Sequence, residues 1–439
     1  MTTSTPWEAT ARVLRRASFG ATGADIDAAH AQGIATWVAA TVSSDAFAAA
    51  AADARHTAPD VPMPAPKDHS ATRDAKKAAN AAQRKAAEQV IAWWVERMWT
   101  TKTPVVEKLT FGWHEHWATS VKKVKAGRLM LIQNLTLREQ ATGSFTTMAT
   151  ALTRDPALLR WLDAEKNTAK APNENLAREL MELFTLGHGN GYTETDVKEG
   201  ARALTGWRIA DDGTATFDAK RHDQGTKTFL GVTGNLGVDE VLAAILARPE
   251  HPTYLATRWW HRLAAPTDPG ADTLGRLRAA YGSGRDNGAL LRAILTDPAF
   301  TTAPATNSLV VTPVEWTLGL VRALKVPVND ATRKRVHQAL TQLGQLPMVP
   351  PDVSGWPSGR AWMSTAAATV RLQAVDHLVS AGDLSVVADA TPATRTDAAL
   401  HLLGLARVGT RTAAALAAAK ADPRALVTTL ALSPEYLVN

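Results

Sequence analysis

Asn173-Glu-Asn-Leu-Ala-Arg-Glu-Leu-Met-Glu-Leu-Phe-Thr-Leu186 is the stretch on which the reading of this chain turns. At about 100° per residue, Leu176, Leu180, Leu183, Phe184 and Gly187 fall on one arc, the signature of an amphipathic helix. Glu174, Arg178 and Glu182 occupy the opposite side at i, i+4 and i+8. Glu179 falls at the edge of the apolar arc, where an ionised carboxylate is expensive unless paired. Two readings follow. Carboxylates interleaved with an arginine suit general acid/base chemistry, because neighbouring charges push their pKa values apart. The same residues also make an ordinary salt-bridged face, since Glu174 and Arg178 have ideal helical spacing.

Helical period continues outward in both directions. Residues 8–42 read as two short helices broken at Gly20, and the Ala-rich residues that follow are interrupted at Pro59, Pro62, Pro64 and Pro66. That interruption predicts an exposed Ala/Pro-rich excursion at about 45–80. Ile91, Trp94, Val95 and Met98 keep helical register in an apolar helix. Thr103 then caps a new helix with Pro104 at its first position, running to Trp113-His114-Glu115-His116-Trp117. Beyond the acidic helix, Gly187 is a natural left-handed C-cap and Thr193 with Asp196 resembles a capping box. Residues 211–236, rich in Gly, Asp and Thr, predict the one extended or hairpin region. A Pro/Gly loop occupies 349–360. No fixed-period repeat is present, which argues against a solenoid. The expected architecture is therefore mainly α: a single large multi-helix body over residues 1–439 with a small irregular or β insertion near 210–236.

Composition removes several functions. The chain has 439 residues, and its 45% hydrophobic content supports a real core. Cysteine is absent, excluding disulfides, thiolate catalysis and cysteine-based metal sites. The formal net charge is +6, but 42 acidic residues accompany 48 basic ones, and the basic runs Lys76 to Lys85 and Lys122 to Arg128 lack interleaved aromatics. No nucleic acid partner is expected. No apolar run reaches membrane-spanning length, and Met1 to Glu8 lacks the basic and apolar regions of a signal peptide, so the expectation is a cytoplasmic protein. Phosphate-cradling loops, dinucleotide fingerprints and Gly-x-Ser-x-Gly elbows are missing, so no nucleotide cofactor is expected.

Other chemistry-bearing residues lie elsewhere. His-x-His chelates one metal on an extended backbone, but on a helix the rings of His114 and His116 diverge by about 160°. A shared ion is therefore not expected there. A metal site, if one exists, needs further donors, with His222 and Asp223 as candidates beside His114 and His116. His222-Asp223 sits in the non-helical segment, where an Asp can orient the ring, and Lys227 follows as an anion holder. Fourteen tryptophans are many against four tyrosines and eight phenylalanines. Those next to polar motifs, Trp113, Trp207 and Trp356, are candidate cleft walls for sugar rings or cations.

Several segments together resemble one family. These are Val13-Leu-Arg-Arg-Ala-Ser-Phe-Gly20, Trp113 to Trp117, Leu137-Arg-Glu139, Asn173 to Leu183, Gly191-Tyr-Thr193, Ala201-Arg-Ala-Leu-Thr-Gly-Trp207, His222-Asp223 and Pro350-Pro-Asp-Val-Ser-Gly-Trp356. They resemble the bacterial family catalogued as domain of unknown function eighteen hundred, over nearly the whole chain. The resemblance implies no settled activity. Its members are often exported and encoded beside a sulfatase-like protein, which implies work on an extracellular, glycan-like polymer.

The leading expectation is an enzyme, a hydrolase or lyase, whose cleft joins the acidic helix to the His-Glu-His helix and the His222 loop. Glu179 is its acid or base, supported by Glu174, Glu182, His116 and His222. Arg178, Arg138, Trp113, Trp207, Asp223 and Lys227 are expected to hold substrate, with His116, Glu179 and His222 in one pocket. The first alternative is a metal-dependent hydrolase or oxidoreductase. The second is a non-enzymatic helical scaffold for a neighbouring protein.

Overall fold

The computed structural model describes residues 5–64, 70, 72–301 and 309–438. Helices account for most of them, and the strands form two separate two-stranded sheets. The N-terminal region holds three helices, Pro6–Ala17, Gly23–Gln32 and Ile34–Thr41, rather than two. Gly20 breaks the first junction as expected, and Gly33, also at positive φ, breaks a second. The Ala-rich region is only partly exposed. Helix Ser44–Thr57 buries Phe47, Ala50, Ala51 and Ala54, while the first turns of Arg73–Thr100 stand in solvent, Lys76, Lys77 and Lys85 included. Small alanines let the former helix approach its neighbours closely, which composition alone does not distinguish from exposure. Pro66 lies outside the described residues.

Helix starts follow their sequence signals in most places. Thr193 and Asp196 close a reciprocal capping box at the head of Glu194–Ala203. Thr103 does not cap Pro104–His116. Its side chain bonds instead to Thr101, leaving Pro104 at the first position as the start signal. The expected extended insertion is two hairpins, Trp207–Ile209 with Ala215–Phe217 and Lys227–Phe229 with Val232–Gly234. Leu230 and Gly231 join the second pair, both at positive φ, as a two-residue hairpin loop requires.

Apolar side chains gather into two large cores. One includes Trp113, Trp117, Phe145, Phe184 and Trp259; the other includes Trp94, Trp316, Leu340 and Leu426. Helix Pro104–His116 lies on the seam. Its Val106, Leu109 and Trp113 enter the first core and its Phe111 the second. Gly112 sits where the edge of Trp259 comes so close that a Cβ would be 2.6 Å from the ring.

An ionic cluster lies inside the same seam. Glu107 is fully buried and accepts from Arg138 Nη2 at 2.7 Å, Arg97 Nε at 2.6 Å and Trp94 Nε1 at 3.0 Å. Burial pushes the Glu107 carboxyl upward, but the Arg138 and Arg97 guanidiniums outweigh it and hold the group below the ordinary range. Arg138 is thus a structural residue and does not reach the acidic helix as a substrate ligand. Its neighbour Glu139 pairs with Arg55.

Candidate functional site

The acidic helix begins at Asn173, whose Oδ1 accepts from the Asn175 amide at 3.0 Å. It runs as Asn175–Glu179 and then widens into a π-helical turn over Leu180–Thr185, in which Leu186 N–H donates five residues back to Met181. Gly187, at φ 92°, ends it. A Cβ at Gly187 would come 2.7 Å from the Tyr254 ring, so glycine is required there for space as well as conformation.

A helix end leaves its last carbonyls without intrahelical donors. Here Leu183, Phe184, Thr185 and Leu186 each receive one from another side chain. Tyr254 Oη donates to Leu183 O at 2.6 Å, His116 Nε2 to Phe184 O at 2.9 Å, His251 Nδ1 to Thr185 O at 2.9 Å and Asn190 Nδ2 to Leu186 O at 3.0 Å. Carbonyls only accept, so both histidines carry the proton on the bonded nitrogen. Burial drives the His116 pKa well below its ordinary value, helped by the Arg258 and Arg262 charges, and pushes His251 down to about 4. His116 is therefore a neutral cap on the helix, enclosed by Trp113, Trp117, Phe145 and Phe184, and does not face a cleft.

His114 points elsewhere, into a nest of Trp94, Phe111 and Trp356. Burial holds its pKa near 3. The two rings thus diverge as the helical register requires. His222 is anchored separately, its Nδ1 donating to Thr205 O at 3.0 Å. Asp223 pairs with Arg202 at 2.7 Å, and Lys227 Nζ donates to the Asp223 carbonyl and to Asn235 Oδ1 at 2.8 Å. Asp223 thus fastens the hairpin segment to helix Glu194–Ala203, His222 ties it to Thr205 just past that helix, and Lys227 braces the segment internally. His116, Glu179 and His222 have different neighbours, and the metal donors considered above do not converge. Among the described residues no group of three or more His, Asp or Glu is gathered to hold an ion. Trp113 and Trp356 belong to the cores, with Trp113 Nε1 bonded to Ala141 O at 2.9 Å. Trp207 alone of the three keeps partial exposure, under the Arg154 guanidinium at 5.3 Å.

The outer face of the acidic helix is a salt bridge. Arg178 binds Glu174 at 3.0 Å and Glu194 at 2.8 Å, all three in contact with solvent. Glu179 differs. Its carboxyl is partly buried and makes no hydrogen bond or ion pair among the described residues, so the pairing that an ionised carboxylate needs at this position is missing. Burial raises its pKa, and the charges of Glu182 and Asp352 add to the rise against Arg178. Glu182 itself is held by His188 at 2.9 Å.

Asp352 arrives on the Pro/Gly loop. Gly355, at φ 96°, lies so close to Glu115 O that a Cβ would sit 3.0 Å from it, and Trp356 stacks on Phe111. The loop is thereby clamped onto the end of the His-Glu-His helix. Opposite stands helix Glu250–Leu263, carrying Tyr254, Arg258 and Arg262 at i, i+4 and i+8. Tyr254, its pKa raised by burial, feels Arg258, Arg262 and Glu182, and Arg262 lies 3.7 Å from Glu115. Glu179, Glu182, Tyr254, Arg258, Arg262, Glu115 and Asp352 form one connected electrostatic group from four segments. Tyr254, Arg258 and Arg262 were legible as a polar stripe with the same spacing as Glu174, Arg178 and Glu182. Trp259-Trp260 between them draws attention to the apolar side instead.

No curated protein and no solved structure matches the chain. The segments that meet here, from the seam helix, the acidic helix and the Pro/Gly loop, are among those carrying the family resemblance. The family described as Protein of unknown function (DUF1800) matches residues 12–438, and the chain belongs to it.

Proposed function

We propose that the protein is an enzyme of acid/base chemistry, a hydrolase or lyase acting on a glycan-like or other polymeric substrate. Glu179 is the proton donor and Glu182 or Asp352 the neighbouring carboxylate. The observation that supports this is Glu179 itself: a partly buried carboxyl without a partner, its proton affinity raised by burial and by two nearby carboxylates. Glu107, a carboxylate that serves the fold, is treated in the opposite way and held low between its two arginines, while Asp155, raised by burial to about 7, is matched by Gln133 and the Leu158 amide where Glu179 has no partner. A carboxyl of raised proton affinity set beside further carboxylates is the pairing that glycosidic cleavage uses.

The test pairs two measurements. Carboxyl-carbon NMR of glutamate-labelled protein is expected to show Glu179 titrating above the other glutamates. Turnover on a panel of neutral and acidic polysaccharides is expected to fall about 10²- to 10⁴-fold in Glu179→Gln, the usual worth of a general acid, with KM little changed. An ordinary Glu179 titration, or full turnover by the variant, overturns the reading.

The non-enzymatic scaffold is the second reading. It is favoured by the structural employment of His114, His116, Arg138 and His222, four residues first expected to work in chemistry or metal binding. Under it no polysaccharide is turned over and Glu179→Gln is stabilising.

A further inference from the structure

Arg258 and Arg262 are one turn apart on helix Glu250–Leu263, on the side that faces His116, Tyr254 and Glu115. Each guanidinium keeps one unsatisfied nitrogen, and Arg262 also lies over the Trp259 ring, 5.7 Å from its centroid. Arg258 Nε and Arg262 Nη1 are both buried and without a hydrogen-bond partner among the described residues. The carboxylate nearest to Arg262 is Glu115, at 3.7 Å, which is too long for a hydrogen bond. Glu115 is also shared, since Gln345 Nε2 approaches it at 3.4 Å and Lys108 feels its charge. Lys108 is already paired with Glu315. Beside Arg262, the one carboxylate, Glu115, thus answers two guanidiniums, Arg262 and Arg258.

Contrast Arg138, an interior arginine that serves the fold. Arg138 spends Nε, Nη1 and Nη2 on Glu107 and Asn134, at 2.7 to 3.0 Å. A buried guanidinium presents a planar fork of donors, and leaving part of it unmatched is costly. Two such groups side by side, in contact with solvent through an Arg262 side chain 18% exposed and a Glu115 side chain 21% exposed, describe a place that a ligand completes. Oxyanions that offer two oxygens side by side match that fork with paired, charge-assisted hydrogen bonds.

We propose that Arg258 and Arg262 form an oxyanion subsite that holds an acidic substituent of the substrate, a carboxylate or a sulfate or phosphate ester. The subsite's role beside Glu179 rests on the acid/base reading given above, whereas anion capture stands without it. Binding there places the negative group against Tyr254 and across from Glu182, so that the bond to be broken lies towards the acidic helix.

The experiment titrates the full chain with sodium sulfate, sodium phosphate and sodium acetate against sodium chloride at matched ionic strength, following thermal unfolding. Wild-type protein is expected to show a saturable rise in Tm. In the Arg258→Gln/Arg262→Gln double variant the dissociation constant is expected to weaken about tenfold or more, the loss of one bidentate pair. Arg178→Gln, an exposed and already paired arginine, is expected to leave it unchanged. Glu179→Gln is expected to keep or tighten it, so failure of the acid/base reading leaves this result standing. Tighter binding of acetate indicates a uronate-like group, and tighter binding of sulfate or phosphate an ester. Equal affinity in the double variant, or an equal loss in Arg178→Gln, overturns the proposal. Should the double variant not fold, arginine-labelled wild-type protein decides by NMR. Saturable shifts of two guanidinium Nε–H signals are expected on adding sulfate, and their absence overturns it.

Discussion

Whether a polar residue serves the fold or the chemistry is decided here by how completely its partners match it. Glu107 is matched on both oxygens and Arg138 on all three nitrogens, so that pair holds the seam together. His114 lies at the other extreme, with its Nε2 buried and unpartnered among three aromatic rings. That ring stays neutral down to about pH 3, whereas an unfolded histidine takes up a proton near 6.5. His251 behaves alike, with its native pKa near 4. Between these limits the unfolded chain binds more protons than the native one, so stability is fully present above about pH 6.5 and declines as the pH falls towards 4. Each such group removes up to about 1.4 kcal/mol per pH unit. His114→Phe is expected to flatten that decline by one proton, sparing roughly 2 kcal/mol between about pH 7.5 and about pH 5. Urea unfolding of both proteins at those pH values checks it, and parallel slopes would contradict the assignment of His114 as a buried neutral ring.

At the scale of an element, the acidic helix owes its form to its end as much as to its apolar arc. The π-turn presents Leu183, Phe184, Thr185 and Leu186 carbonyls to four side chains drawn from three other segments. Losing one donor strands a carbonyl, at a cost of about 1–3 kcal/mol. Tyr254→Phe and His116→Phe are therefore each expected to lower stability by that amount without changing how Glu179 titrates. Chemical denaturation with the same carboxyl NMR measures both, and a shifted Glu179 titration in His116→Phe would restore that histidine to the site. The arc itself, the Gly187 terminus and the Thr193 capping box could be read from local sequence, because each depends on residues within a few positions. The π-turn could not. Three of its four donors sit far off at residues 116, 251 and 254, and nothing within residues 173–186 signals them. For the same reason the ideal spacing of Glu174 and Arg178 was legible as a salt bridge, while the third partner, Glu194, was not.

Across the whole molecule, mainly helical architecture and the position of the extended insertion were legible, since helical period and turn-forming residues act locally. Convergence was legible only in part. The His-Glu-His helix, the acidic helix and the Pro/Gly loop do meet, yet the residues that sequence proposed as their meeting point, His116 and His222, are turned inward to carbonyls. What sets the loop beside the acidic helix is instead its close backbone approach to the His-Glu-His helix, Gly355 against Glu115 O. That contact holds Asp352 where its charge reaches Glu179. Alanine at 355 meets two obstacles: a φ of 96° and a Cβ 3.0 Å from the carbonyl. Gly355→Ala is expected to cost about 1–3 kcal/mol, as left-handed strain does for a non-glycine residue, and to lift the loop off the seam helix. As Asp352 withdraws, Glu179 loses one of the two negative charges that raise its pKa, and its titration moves towards an ordinary glutamate. Asp352→Asn removes the same charge while leaving Gly355 in place, so it is expected to lower the Glu179 pKa without the stability loss. Carboxyl NMR and urea unfolding of the two variants separate the charge from the scaffold that carries it. If neither variant moves the Glu179 titration, Asp352 belongs to the loop's own turn, where its Oδ1 already accepts from Ser354 at 2.6 and 2.9 Å, and has no part in the site.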